Sequence, residues 1–221
     1  MRTGFRCGHE WGDSLTSSEH GSQPRRLEEL WSGDFGDAYT ERNEEAGAGR
    51  ETFWRELLAG LEVTTALEVG CNVGANLRWL AEILAPRDVF GVDVNEGALA
   101  GVRRTLSGVN AVYASARELP FRDRLFDLTF TTGVLIHLPP AGLPVAMAEL
   151  VRCSRRYVLC GEYYSAEPVE VPYRGETGAL FKRDFGAYYL ELFPELALVE
   201  QGFLGRDEGW DDVTWWLFER R

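Results

Sequence analysis

The segment ALEVGCNVGANL, residues 66–77, contains the residue types of a turn that holds a small, nucleotide-like ligand. Glu68 lies near the end of an apolar run, and Gly70 and Gly74 follow it before a helical pattern begins. Glycine allows the backbone to approach a ligand closely, and the first turn of a helix offers N–H groups that have no partner within the helix. These residues predict a ligand-binding turn, with a purely structural strand-to-helix connection as the alternative.

The spacing of the glycines argues against a dinucleotide-binding turn. Such a turn needs glycine at positions i, i+2 and i+5, but counted from Gly70 the last two positions hold Asn72 and Ala75. Asparagine tolerates a positive φ angle better than most residues. We therefore expect Asn72 to adopt the turn and to place an amide near the ligand.

Asp93 lies at the end of the next apolar run, DVFGVDV. A carboxylate at the end of the second strand of such a unit can accept hydrogen bonds from ribose hydroxyls. The alternative is a solvated carboxylate at a strand end. A glycine turn followed by this acid favours a nucleoside ligand.

Together these residues resemble the first motifs of class I S-adenosylmethionine-dependent methyltransferases. The similarity continues in ASARELPFRDRLFDLTF, residues 114–130, which resembles the family's third-strand loop and fourth strand. Ser115 stands where the family more often has aspartate, so its hydroxyl is the expected contact to the adenine amine. The resemblance implies S-adenosylmethionine as cofactor, S-adenosylhomocysteine as product, and a binding site that contains Glu68, Gly70, Asn72, Gly74, Asp93, Val94, Ser115, Ala116, Thr131 and Thr132.

The segment TTGVLIHL follows the predicted fourth strand, where the family binds the methionine portion and the acceptor pocket begins. His137 is therefore a candidate base, with packing behind the cofactor as its alternative. Glu162, after the predicted fifth strand, is a second candidate base. Because a sulfonium is already a reactive methyl donor, positioning of the two substrates can supply much of the rate.

The flanking segments have a narrower resemblance, to the methylases associated with pseudaminic acid biosynthesis operons. They are LWSGDFGDAYTERN, EYYSAEPVEVPYRGETGALFKRDF and DDVTWWLFER. With the core, this similarity covers residues 27–220. The resemblance implies an acidic sugar or its nucleotide conjugate as acceptor, although the group takes its name from gene neighbourhood.

The same flanks supply candidate walls for the acceptor site. Tyr39, Arg42 and Asn43 are expected to form one wall and to clamp the carboxylate of the cofactor. The residues expected to contact the acceptor follow the fifth strand, and they are Tyr163, Tyr164, Tyr173, Arg174, Lys182 and Arg183. The cations among them suit a carboxylate or phosphate, with a solvated helix start as their alternative.

The elements that must position these residues alternate between strands and helices. Apolar strands are predicted at about 65–69, 88–93, 111–114, 127–131 and 156–161, and helices near 75–84, 96–106 and 141–151. This order predicts a doubly wound, mostly parallel seven-stranded sheet with ligands at the carboxyl ends of its strands. The last two runs, ALVEQGFL and DDVTWWLFER, predict an antiparallel pair at one sheet edge that includes the final strand.

The N-terminal region differs in character from this core. Residues 1–24 are expected to form a mobile arm. Residues 25–62 are expected to form a helical lid, broken near Gly33 and Gly36, and a first helix. Residues 63–221 are then the methyltransferase core, with acceptor-site elements at about 162–185.

Composition limits the possible partners. The chain has 221 residues, 45% of them apolar, and a formal net charge of −12, so a surface that tracks nucleic acid phosphates is not expected. The four cysteines lack CxxC spacing, which is typical of reduced thiols in a cytoplasmic protein, and the pair Cys7 and His9 is too small a ligand set for a metal site. We expect no metal, no membrane span and a monomer or homodimer.

The predicted function is methyl transfer from S-adenosylmethionine to an oxygen or nitrogen atom of a small, polar, anionic acceptor. Two alternatives remain open, a methyltransferase that tailors a secondary metabolite and a non-catalytic S-adenosylmethionine-binding protein. A nicotinamide oxidoreductase is disfavoured by the glycine spacing.

Overall fold

The computed structural model describes residues 17–43 and 47–221, with side chains from residue 25 onwards. The first part of the predicted arm, including Cys7 and His9, lies outside the described residues. Helix α1 (Ser17–Ser32) begins within that predicted arm, so residues 17–24 are helical. Among the described residues, no helix has the length and apolar character needed to cross a membrane.

A seven-stranded sheet forms the centre of the fold. Its strands are β1 (Ala66–Val69), β2 (Val89–Asp93), β3 (Asn110–Tyr113), β4 (Phe126–Thr132), β5 (Ser154–Glu162), β8 (Leu196–Leu204) and β9 (Val213–Arg220). The order across the sheet is β3-β2-β1-β4-β5-β9-β8, and β9 alone runs opposite to its neighbours. The predicted doubly wound, mostly parallel sheet with an antiparallel final strand is confirmed.

Helices cover both faces of the sheet because each has one apolar side. They are α2 (Asp34–Arg42), α3 (Glu51–Ala59), α4 (Leu77–Ile83), α5 (Glu96–Thr105), α6 (Leu143–Cys153) and α7 (Phe185–Leu192). On one face, Met147 and Phe185 belong to a core cluster with Phe218 of β9. On the other face, Trp54 and Leu80 pack with Phe130 of β4. The central strands β1 and β4 are buried on both sides, as expected where helices cover both faces of a parallel sheet, while the edge strands β3 and β8 are partly exposed.

The strand order places a topological switch point between β1 and β4. The chain builds outwards from β1 to β3 and then returns to the other side of β1 with β4. Ligands in sheets of this kind bind at the carboxyl ends of the strands beside the switch point. The fold therefore places the ends of β1, β2 and β4 where a ligand is expected.

A short hairpin follows β5 and supports α1. Its strands are β6 (Val169–Glu170) and β7 (Phe181–Lys182). Leu27 of α1 forms a small apolar cluster with Ala179 and Phe181. Because of this contact, α1 is attached to the segment in which the acceptor-site elements were predicted.

The break between α1 and α2 occurs at Gly33, while α2 continues through Gly36, where a second break was predicted. Gly36 is buried, and a Cβ atom there would lie 1.7 Å from the carbonyl oxygen of Trp31. No real contact is that short, so only glycine allows the two helices to approach this closely. Asn95 fixes the same corner, since its side-chain amide donates to Trp31 O at 3.3 Å and to Asp37 Oδ1 at 2.8 Å.

We predict that Gly36→Ala loosens α1 and α2 without disturbing the sheet. Native-state hydrogen exchange should show the opening free energy of these two helices lowered by about 1–3 kcal/mol, the usual range for overpacking. Gly101→Ala is the matched control, because a Cβ atom at Gly101 in α5 meets nothing within 4 Å. That change should stabilise α5 by about 0.5–1 kcal/mol and leave α1 and α2 unaffected. Equal protection of α1 and α2 in both variants would contradict the packing described here.

Candidate functional site

A cavity of about 440 Å³ opens at the carboxyl ends of β1 to β4. Its volume is within the usual range for sites that bind small molecules. The sheet contributes the residues after β1, β2, β3 and β4, while α1 and α2 cover one side. Another side is covered by Tyr163, Tyr173, Arg174, Trp210, Asp211 and Val213. Most of the predicted site residues line this space, and the exceptions are described below.

The turn after β1 has the backbone conformation that the sequence predicts. Asn72 has a φ of 44°, and Gly70 and Gly74 both have a φ of 78°. The N–H of Gly70 donates to Val92 O at 2.8 Å, which anchors the turn on β2. Gly70 and Asn72 line the cavity.

Gly74 has a different role from the predicted one. It lies behind the turn and does not line the cavity. A Cβ atom at this position would lie 2.9 Å from Leu106 Cδ1 and 3.2 Å from Val102 Cγ2. Glycine is therefore needed here for its left-handed conformation and for close packing against the end of α5.

Asp93 connects the turns that follow β1 and β2. Its Oδ2 accepts the N–H of Asn72 at 2.8 Å, and its Oδ1 accepts the N–H of Asn95 at 2.9 Å. Burial raises the pKa of Asp93, and these backbone hydrogen bonds oppose the rise. Each carboxylate oxygen keeps a further lone pair, and Asp93 and Val94 both line the cavity.

Asn76 is the centre of a buried polar network beneath the turn. Its amide nitrogen donates to Glu68 Oε1 at 2.6 Å and to Thr132 Oγ1 at 3.0 Å. Its amide oxygen accepts from a terminal nitrogen of Arg50 at 3.1 Å and from the Trp54 indole at 3.3 Å. One buried amide therefore connects β1 and β4 with the start of α3.

Glu68 keeps one carboxylate oxygen without a partner in this network. Its side chain is buried, and Oε2 has no hydrogen bond from the protein. Burial raises the pKa of Glu68 to about 8, although the hydrogen bond from Asn76 and the charge of Arg50 oppose the rise. A cationic ligand group beside Oε2 would satisfy this acceptor and favour the ionised carboxylate.

Arg50 was missed by sequence reasoning. Its Nε donates to Gly209 O at 2.8 Å, and its guanidinium lies over the ring of Trp210 at 4.3 Å. The hydrogen bonds to Gly209 and Asn76 use two of the five guanidinium N–H donors. Arg50 lines the cavity with donors to spare, and no sequence motif marks it because it lies in a turn before α3.

Ser115 is not available to a ligand in the way that was predicted. It does not line the cavity, and its hydroxyl donates to Glu28 Oε1 on α1 while its oxygen accepts the N–H of Arg117 at 3.1 Å. Ala116 and Glu28 line the cavity instead. No local sequence pattern indicates that a helix more than eighty residues away places a carboxylate at this point, so the structure shows Glu28 beside a hydroxyl that was predicted to contact adenine.

Glu162, one of the two predicted bases, is enclosed by the protein and does not line the cavity. Its side chain is fully buried, and its two oxygens accept the N–H groups of Val134, Leu135 and Ile136 at 3.1–3.3 Å. Burial raises its pKa to about 7, and these three donors oppose the rise. Glu162 therefore caps the short 3-10 helix Leu135–His137 and positions it at the cavity wall.

Thr131 is likewise a structural residue. Although it was predicted to contact the cofactor, it is fully buried and does not line the cavity. Thr132, the next residue of β4, has the opposite orientation because successive side chains of a strand alternate between faces. It lines the cavity and accepts a hydrogen bond from Asn76.

His137 lines the cavity in a defined tautomer. Its Nδ1 lies 2.7 Å from Ala179 O, and since a carbonyl oxygen can only accept, Nδ1 carries the proton and Nε2 the lone pair. Burial lowers the pKa of His137 to about 4, so the ring is neutral at pH 7. Trp31 packs against it with ring centroids 4.5 Å apart, and Tyr173 lies at 5.1 Å.

The other predicted wall residues divide into two groups. The cavity is lined by Tyr39, Arg42, Asn43, Tyr163, Tyr173 and Arg174. Tyr164, Lys182 and Arg183, which were also predicted to contact an acceptor, do not line it. Tyr164 is half exposed beside Trp216. Lys182 Nζ lies 5.4 Å from the centre of the Tyr163 ring, and Arg183 stacks on Tyr188 at 3.4 Å.

Known structures share this architecture. A 1,6-didemethyltoxoflavin-N1-methyltransferase from Burkholderia thailandensis, solved with 1,6-didemethyltoxoflavin and S-adenosylhomocysteine bound, is similar with a TM-score of 0.69. The similarity covers 95% of this chain and 92% of that chain at 16% sequence identity. The chain has the class I methyltransferase fold. A magnesium protoporphyrin IX methyltransferase from Synechocystis, with S-adenosylhomocysteine bound, is similar over 89% of this chain and 99% of that chain, with a TM-score of 0.65 and 13% identity.

Sequence comparison gives a match over the centre of the chain. Residues 66–156 match the family described as a methyltransferase domain. A fatty-acid O-methyltransferase from Mycolicibacterium smegmatis is 35% identical over 99 residues, which cover 44% of this chain and 35% of that protein. A probable phthiotriol/phenolphthiotriol dimycocerosates methyltransferase 2 from Mycobacterium ulcerans is 30% identical over 99 residues, 44% of this chain and 38% of that protein. The matches thus span little more than a third of these relatives' length.

We predict that His137 makes the folded state sensitive to acid. Its folded pKa of about 4 lies below the ordinary value of 6.5, so between these pH values the unfolded chain binds a proton that the folded chain does not. The stability contribution is complete above pH 6.5 and is lost as the pH falls to 4, by about 3 kcal/mol. Denaturant unfolding of the unmodified protein and of His137→Asn should give profiles that converge as the pH is lowered. Parallel profiles would contradict the buried, neutral assignment.

Proposed function

We propose that this chain is an S-adenosylmethionine-dependent methyltransferase that acts on a small molecule. The observation that carries the proposal is the order of polar groups along one cavity. Arg50 and Glu68 lie by the ends of β1 and β4, Asp93 follows at β2, and Glu28 and Ala116 follow at β3. This order suits an extended ligand with an amino-acid end, a ribose and a base.

The amino-acid end of the cofactor fits the Asn76 network. Arg50 has free guanidinium N–H donors for a carboxylate, and the unpartnered Oε2 of Glu68 suits an ammonium group. Asn76 is hydrogen-bonded to both residues and so fixes their relative positions. Tyr39, Arg42 and Asn43, from α2 and its end, remain candidates for the outer wall of this subsite.

The nucleoside end fits the next two strands. Asp93 keeps free lone pairs for two ribose hydroxyls, and Val94 and Ala116 offer apolar contacts for a flat base. The turn at Gly70 and Asn72 lets backbone and side-chain amide groups lie close to the ligand between these two ends. The set of residues present therefore fits the cofactor.

The acceptor is proposed to enter between α1, α2 and the segment after β5. When bound, S-adenosylmethionine supplies an electrophilic methyl group on a sulfonium sulfur. Tyr39, Tyr163 and Tyr173 line the remaining wall and can orient a polar acceptor, while the covering helices limit access of water. The Nε2 lone pair of the neutral His137 ring can accept a hydrogen bond from a hydroxyl or amine of the acceptor and so orient it.

The position of Arg174 favours an acceptor that carries a negative charge. It lines the cavity and is exposed at its rim, so it can attract and orient a carboxylate or phosphate. The resemblance of residues 162–185 to methylases of pseudaminic acid operons supports an acidic sugar or its nucleotide conjugate within that class. Of the three cations predicted after β5, Arg174 alone lines the cavity, so one anionic group on the acceptor is enough for this contact.

The test of the proposed function is turnover together with binding. Conversion of S-adenosylmethionine to S-adenosylhomocysteine should rise above background with at least one member of a panel of anionic sugars and small carboxylates. Calorimetry should show that Asp93→Ala weakens S-adenosylhomocysteine binding by about 1.5–3 kcal/mol, the range for lost hydrogen bonds to a charged group. Asp88→Ala is the control, because Asp88 lies at the opposite, amino end of β2. Equal affinity of the unmodified protein and Asp93→Ala would contradict the assignment of the ribose subsite.

We predict that the two cations after β5 differ in their effect on the acceptor. Arg174→Ala should raise the acceptor's KM by about fivefold, equivalent to about 1 kcal/mol, and the effect should shrink at high salt. Lys182→Ala should leave this KM unchanged, because Lys182 does not line the cavity. Steady-state kinetics at two salt concentrations would measure both effects. A larger effect at Lys182 than at Arg174 would contradict this picture.

A further inference from the structure

The base end of the cavity is completed by a carboxylate that does not come from the sheet. Glu28 of α1 lines the cavity together with Ala114 and Ala116, which follow β3. Ser115 lies between those two alanines in sequence but outside the cavity, and its hydroxyl donates to Glu28 Oε1. At this point of the sheet edge, the polar group presented to the cavity therefore belongs to α1.

Glu28 is held in place as an ionised acceptor. Arg117 donates two hydrogen bonds to it, from Nε to Oε1 at 3.0 Å and from Nη2 to Oε2 at 2.7 Å. Burial raises the pKa of Glu28, but the hydrogen bonds from Arg117 and Ser115 outweigh it and hold the pKa below its ordinary value. The paired charge of Arg117 allows the carboxylate to stay ionised although it is partly buried.

The hydrogen-bonding capacity of this carboxylate is not exhausted. A carboxylate offers about four lone-pair positions, and Ser115 and Arg117 occupy three of them. One position remains, on Oε2. A carboxylate accepts hydrogen bonds and cannot donate them, so the group that fits here is an N–H or O–H donor on the ligand.

We propose that Glu28 accepts a hydrogen bond from the exocyclic amino group of the cofactor's adenine and so determines the choice of base. This inference rests on the proposed function, which puts the ribose at Asp93 on β2 and hence the base at the end of β3. A 6-oxo purine has an acceptor where adenine has the amino group, and it would face the Glu28 carboxylate unfavourably. Base recognition thus depends on a residue of the covering helix.

The same contact couples base recognition to the position of α1. Arg26 of α1 pairs with Glu176 of the hairpin at 2.8 Å, and Leu27 packs on Ala179 and Phe181. Glu28 follows these two residues, so it reaches the base only when α1 rests on the hairpin. Ser115 and Arg117 act as positioning residues that aim the Glu28 carboxylate.

Comparison of two nucleosides tests this role. S-adenosylhomocysteine and S-inosylhomocysteine, its 6-oxo counterpart, are titrated into the unmodified protein, Glu28→Gln and the control Glu29→Gln, which alters the exposed neighbouring acid on the same helix. The unmodified protein and the control should prefer the adenine compound by at least about tenfold. In Glu28→Gln the preference should fall to within about threefold, because an amide can both accept and donate.

Each outcome separates the inference from the proposed function. If Glu28 served only to hold α1 in place, Glu28→Gln would weaken the binding of both nucleosides by the same factor. The preference for adenine would then be unchanged, which would overturn this inference but not the proposed function. If the unmodified protein bound neither nucleoside, both the proposed function and this inference would be wrong. The side chain of Glu28→Ala can neither accept nor donate a hydrogen bond, so this variant should also lose the preference for adenine. It therefore shows whether the result for Glu28→Gln depends on the orientation of the glutamine side chain.

Discussion

The site depends on one buried amide, the side chain of Asn76. It donates to Glu68 and Thr132 and accepts from Arg50 and Trp54, so it uses its full hydrogen-bonding capacity within the protein. A buried carboxylate and a buried guanidinium are unfavourable when unpaired, and the amide stabilises both while keeping them apart. Glu68 and Arg50 do not pair with each other. Glu68 therefore keeps an acceptor for an ammonium group of the ligand, and Arg50 keeps donors for its carboxylate.

The rest of the cavity follows from the order of the strands. The switch point between β1 and β4 opens the sheet edge, Asp93 fixes the two adjacent turns, and the pair of helices α1 and α2 covers the opening. A buried acceptor without a hydrogen bond is costly, so Oε2 of Glu68 favours a ligand group that donates to it. A ligand that satisfies this oxygen would therefore stabilise the folded chain as it binds.

The sequence was informative wherever one local pattern decided the outcome. Strand periodicity identified the parallel sheet, and the conformational range of asparagine identified the positive φ of Asn72. It was uninformative where a distant segment determines the surroundings of a residue. Ser115 donates its hydroxyl hydrogen bond to Glu28, and the Glu162 carboxylate accepts the backbone N–H groups of residues 134–136. Arg50 was missed for the same reason, because its importance arises only from the packing of α3 against the turn after β1.

The most direct test of this account is a crystal structure of the protein with S-adenosylhomocysteine. The account predicts the ligand's carboxylate at the Arg50 guanidinium, its ammonium group at Glu68 Oε2, and its ribose hydroxyls at roughly 2.6–3.2 Å from the Asp93 carboxylate. A ligand bound elsewhere, or one whose amino-acid end contacts neither Arg50 nor Glu68, would contradict it.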